Sequence, residues 1–102
     1  MLYRHGDVIL EKIPNTDLGN KIQSGNIVLA EGEATGHAHR ITSEHAELYE
    51  TPTNDNGVRL LLLKRPAELF HEEHKALELP AGLFRVRIKR QYSPDGWQKV
   101  ID

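Results

Sequence analysis

Two pairs of histidines carry the chemistry that this sequence can do. His37 and His39 stand in Thr35-Gly36-His37-Ala38-His39-Arg40-Ile41. On a strand, residues i and i+2 project to the same side, so both imidazoles share a face with Thr35 and Ile41. Two neutral imidazoles converging on one point begin a metal site, because imidazole is already a ligand at neutral pH. Gly36 lets the backbone approach closely just before them. The second pair lies in His71-Glu72-Glu73-His74. On a helix these two share a face. On a strand they point oppositely, and only His71 keeps the face of Leu69.

Four imidazoles in two pairs suit zinc, nickel, iron or manganese, which take nitrogen and oxygen ligands. The expected ligands are His37 and His39, with His71 completing a triad and His74 or Glu73 in reserve. Three imidazoles leave a position for water or substrate. A divalent metal there lowers the pKa of bound water, and Glu73 is the expected general base. His5, beside Arg4 and Gly6, and His45, in Ser43-Glu44-His45, are expected at the surface.

Two rival chemistries use the same residues. Two histidines and a cation can cleave RNA without metal, with His37, His39 or His71 as acid and base and Arg40 or Arg85 on the phosphate. A non-catalytic interaction module is the other. Arg85, Arg87 and Lys89 alternate on one face, with Arg90, Tyr92 and Trp97 close by, as in single-strand nucleic-acid binders. Cross-strand pairing with upstream acids such as Glu78 explains that stripe without a ligand. Thirteen Lys and Arg against fifteen Asp and Glu give a net charge of −2. No global positive field is present to hold a nucleic acid or an anionic membrane, so tight nucleic-acid binding is not expected.

The elements that must position these groups are short. The 102 residues suit one domain, spanning 1–102. The absence of cysteine excludes a disulfide scaffold, a thiolate nucleophile and an iron–sulfur cluster. No apolar leader follows Met1, and the longest apolar run is Leu60–Leu63, so a soluble cytoplasmic protein is expected. Glycine and proline recur from Gly6 to Gly96, leaving segments of strand length. Phe84, Val86 and Ile88 alternate with Arg85, Arg87 and Lys89, the period of a half-buried strand. Asn54-Asp55-Asn56-Gly57 reads as the turn of a hairpin between Ala46–Thr51 and Gly57–Lys64, and Ser93-Pro94-Asp95-Gly96 as another turn. The predicted fold is all-β, a small antiparallel roll or barrel of seven or eight strands. Its expected core is Val8, Leu10, Ile27, Leu29, Leu48, Leu60, Leu62, Phe84, Val86 and Ile88. Self-association through a strand edge is open to so small a β domain. By propensity alone, Pro66–Leu79 is a helix, which gives an α+β alternative. The competing division is a strand over Ala67, Leu69 and His71, a turn at Glu72–Lys75, and a run from Ala76 into Pro80.

Several blocks resemble a group of small uncharacterised bacterial and phage proteins: Tyr3-Arg4-His5-Gly6-Asp7-Val8, Leu29 to His39, His71-Glu72-Glu73-His74, Leu79-Pro80-Ala81-Gly82-Leu83-Phe84-Arg85-Val86 and Gln91-Tyr92-Ser93-Pro94. That resemblance implies a hairpin turn at His-Glu-Glu-His and carries no established activity. A looser likeness is to cupins. Gly32, His37, His39 and Glu44 are similar to the first cupin motif, whose histidines and glutamate hold a metal. Pro80-Ala81-Gly82 is similar to the turn of the second motif, but Arg85 stands where cupins place a histidine. A small metal-holding β-barrel, cupin-like in part, is what the likeness implies, with His71 or His74 as the third histidine.

Overall fold

A computed structural model describes residues 1–31, 37–51 and 58–88, together with the backbone of 90–93 and 96–99. The described residues contain ten strands and no helix. They are β1 (Leu2–His5), β2 (Val8–Ile13), β3 (Asn20–Glu31), β4 (Ala38–Thr51), β5 (Val58–Leu63), β6 (Ala67–His71), β7 (His74–Leu79), β8 (Gly82–Ile88), β9 (Arg90–Ser93) and β10 (Gly96–Lys99). No helix is present that is long and apolar enough to cross a membrane among the described residues.

Eight strands form one antiparallel sheet that curls into a nearly closed barrel, while β9 and β10 pair separately. β5 and β6 lie end to end along one edge of β4, through Ala46↔Leu63 and Arg40↔Phe70. β7 and β8 lie end to end beside them, so residues 58–88 form one long hairpin broken in the middle. The breaks fall at Lys64–Pro66 and Pro80–Ala81, where proline cannot donate to a ladder. The neighbouring strands bend at the same level. In β4 the register jumps from Ser24↔Glu47 to Gly25↔Ser43, a bulge of residues 44–46. Gly25 has φ 79° there, a conformation that side chains resist. This aligned corner folds the tip of the long hairpin over the start of the chain.

The bulge also switches which residues of β4 face inward. His39 and Ile41 point in before it, Ala46 and Leu48 after it, and all four are buried. The core joins them to Val8, Leu10, Ile27, Leu29, Leu61, Leu63, Leu69, Leu79, Phe84 and Val86. The expected core is right on most positions and needs two corrections. Leu61 and Leu63 face the core cluster, whereas Leu62 is only half-buried. Ile88 is half-buried and packs against the cluster from its margin.

The segment Pro66–Leu79 is a hairpin and not a helix. Its Glu-, Ala- and Leu-rich composition is overridden by burial of Leu69 and Leu79 on the barrel interior. Two cations of the basic stripe, Arg85 and Arg87, pair with a different acid from the one expected, and Lys89 lies outside the described residues. Arg87 Nη2 and Arg85 Nε lie 3.3 Å and 3.7 Å from Glu11 Oε1 on β2, while Glu78 stands opposite Glu68. The β4–β5 hairpin forms as predicted, and β9 and β10 pair on either side of the predicted Ser93–Gly96 turn, with Asn54–Gly57 and Pro94–Asp95 outside the described residues.

Candidate metal centre

Three separate stretches of chain meet at one end of the barrel. β1 ends at His5, and a tight Gly6–Asp7 turn returns the chain into β2, with His5 opposite Val8. β4 begins with His37 and His39 just before and inside its first turn of ladder. The long hairpin contributes its tip. There a two-residue turn, Glu72–Glu73, puts His71 directly opposite His74. Cross-strand partners share a face, so both imidazoles turn to the same side. The expectation that they diverge on strands is therefore corrected: it holds along one strand but not across a two-residue turn.

Five of the six histidines gather here. The ring of His39 lies 4.4 Å from that of His71 and 5.7 Å from that of His74, and the His71 and His74 rings are 4.8 Å apart. His39, His71 and His74 each offer a nitrogen, and these nitrogens all lie within 4.8 Å of one another. His37 sits nearer solvent, with its ring 5.8 Å from that of His71 and its Nδ1 3.4 Å from Glu73 Oε1. His45 is remote, half-exposed and beside Glu44, as expected. Thr35, expected on the same face as His37, is outside the described residues.

His5 is not at the surface. It is 4% exposed, and Asp7 beside it is 2% exposed. His5 Nδ1 lies 2.9 Å from His39 Nδ1, and its Nε2 donates to the Lys75 carbonyl at 2.9 Å. That second bond ties β1 to β7, the two strands that meet as the sheet curls closed. Asp7 Oδ1 stands 3.2 Å from His39 Nε2. Sequence reasoning missed both residues. Their signal is the string His5-Gly6-Asp7, a glycine turn flanked by two groups that bind protons, but nothing local says that β7 will cover it.

Burial pushes the His5 imidazole below its ordinary pKa, and the nearby rings of His39, His74 and His71 add to that, against the bond to Lys75. Neutral rings are the form that binds metal. At the hairpin tip, the Glu73 N–H donates to His71 Nδ1 at 3.0 Å. Glu72 clamps the tip to β4, accepting from Ala38 N at 3.0 Å and pairing with Arg40. The Ala38 bond, chiefly, holds the Glu72 carboxyl below its usual range. The donor set is imidazole nitrogen with no thiolate, which suits a borderline transition metal better than magnesium or calcium.

A small barrel closed over a buried histidine cluster is the class that fold and site define. Residues 4–89 match the family described as Domain of unknown function (DUF8820), and the chain belongs to that family. No curated protein and no solved structure matches the chain.

Proposed function

We propose that this chain is a metal-binding protein in which His39, His71 and His74 hold one divalent transition metal. The observation that carries this reading is the approach of their three ring nitrogens to within 4.8 Å inside the barrel. Asp7 supports it, because a buried carboxylate 3.2 Å from His39 Nε2 offsets the charge of a bound cation. His37 and Glu73 lie at the solvent side, where they can take or return a proton. When bound, the metal supplies Lewis acidity and a water of lowered pKa. Within the chain, His71 must then give up its bond from the Glu73 N–H. Its Nδ1 accepts that bond, so in the neutral ring Nε2 holds the proton. Ligation through either nitrogen breaks this arrangement, and the Glu72–Glu73 turn readjusts on loading. A metal-dependent reaction on a small molecule is the function that this arrangement fits.

Elemental analysis of the full chain, purified without a histidine tag, tests the reading. The expected result is near-stoichiometric zinc, nickel, iron or manganese. The content falls sharply in His39→Ala and His71→Ala and stays unchanged in His45→Ala. Metal-free wild type that also refuses added zinc overturns it.

A further inference from the structure

Among the described residues, β4 and β6 share one ladder pair, Arg40↔Phe70. One residue back along β4 and one on along β6, His39 meets His71, and their rings lie 4.4 Å apart. One step further, Ala38 comes opposite Glu72, where the chain has already left β6 for its turn. A side chain continues the ladder there. The Ala38 N–H donates to Glu72 Oε1 at 3.0 Å, meeting a carboxylate where a strand would offer a carbonyl. The other carboxylate oxygen pairs with Arg40, whose guanidinium also lies 5.7 Å from the centre of the Phe70 ring. Side chains alternate along a strand, so residues 38, 40, 70 and 72 share the outer face. His39 and His71 share the inner face with Ile41 and Leu69, and all four are buried. The Glu72 carboxylate thus grips β4 on either side of His39, from the position next to His71.

A single ladder pair is weak anchorage, and a slip of one residue turns a strand's side chains to the opposite face. Such a slip in β6 would carry His71 out of the barrel, and with it His74, its partner across the turn. A carboxylate that accepts from a backbone N–H and from a guanidinium makes two charge-assisted bonds, the stronger kind. Donors held in place beforehand also lose less freedom when they bind.

We propose that Glu72 is a positioning residue for the metal: its carboxylate pins the β4–β6 register and so holds His39 against His71 and His74 before any metal arrives. This rests on the metal-binding reading above and adds what sets the affinity of that site. Glu72 acts from the outer face, through the histidines.

Zinc titration of the full, untagged chain against a chelator of known affinity tests this, with Glu72→Ala, Glu72→Gln and Thr51→Ala. Glutamine keeps an oxygen for the Ala38 N–H and gives up the charge toward Arg40. Thr51→Ala removes a different cross-strand bond, to the Val58 carbonyl at the far end of β4. Glu72→Ala is expected to bind zinc at least about tenfold more weakly, the lower end for groups that orient metal ligands. It releases zinc faster and takes it up no faster. Glu72→Gln recovers part of the loss, and Thr51→Ala binds as wild type does. In the metal-free chain, the nuclear Overhauser contact between the His39 and His71 rings weakens in Glu72→Ala. A lower urea midpoint in Glu72→Ala with unchanged zinc affinity makes Glu72 a structural residue alone and overturns the role, leaving the trio in place. Uptake and release accelerated equally overturn it too. Wild type that takes up no zinc overturns the metal reading, and the role of Glu72 falls with it. Should Glu72→Ala not fold, the zinc affinity of Glu72→Gln decides.

Discussion

His71 and His74 face each other across a turn of two residues, their ring centroids 4.8 Å apart. The pairing depends on turn length alone, because strand side chains alternate and a one-residue slip reverses their face. Inserting one glycine between Glu72 and Glu73 should therefore turn one imidazole out of the barrel. The expected outcome is lost metal uptake with a retained β-type dichroism spectrum. A variant that folds and loads normally contradicts the proposed donor set.

Asp7→Asn keeps the side-chain shape but removes the charge beside His39 Nε2. Metal affinity should fall by about 10- to 100-fold, the usual effect of losing a carboxylate behind a ligating histidine. Competition with a chelator of known affinity measures it.

On loading, the Glu73 amide should lose its bond to His71 Nδ1. Its proton resonance is expected to shift on zinc addition, while the amide of Lys64, bonded to the carbonyl of the remote His45, stays in place. A two-dimensional amide spectrum reads both.

Leu61→Ala should cost about 2–5 kcal/mol, as for other buried leucines. Leu61 is fully buried in the core cluster, and its half-buried neighbour Leu62 should cost clearly less when truncated. Urea unfolding of the two variants tests the inward face of β5.

Glu47 is held at a pKa of about 2, first by Lys21 and then by Tyr49 and Lys64, against an ordinary value of 4.5. A depressed carboxyl stabilises the fold fully above its unfolded pKa and loses that contribution as pH falls through the folded one. Wild type should thus exceed Glu47→Gln in stability at neutral pH. The gap should shrink below pH 4.5 and vanish near pH 2, as followed by urea midpoints.

The strands were legible because period two survives in segments such as Phe84–Ile88, and because glycine and proline bound each element. The inward face of Val58–Leu63 was not, since four consecutive leucines have no period to read. Residues 66–79 mislead for a different reason: their propensities are local, and the burial of Leu69 and Leu79 that overrides them is not. For the site, His37, His39, His71 and His74 stand out by spacing, and the structure gathers all four at one end. His5 and Asp7 could not be read. Their burial comes from β7 arriving 70 residues later in the chain.

That late arrival orders events in time. The proposed donors belong to residues 39, 71 and 74, His5 packs against them from the start of the chain, and none of the three stretches is adjacent in sequence to another. During synthesis, the first half of the chain carries only scattered imidazoles, and the pocket exists once the hairpin tip has curled back over the N-terminal strand. On the proposed reading, metal would be captured last and would act as a latch on a finished barrel, adding about 2.7 kcal/mol when free metal is a hundredfold above its dissociation constant. Depletion should then appear first as faster opening between β1 and β7, seen in amide exchange at Lys75 and its neighbours, before the rest of the sheet loosens.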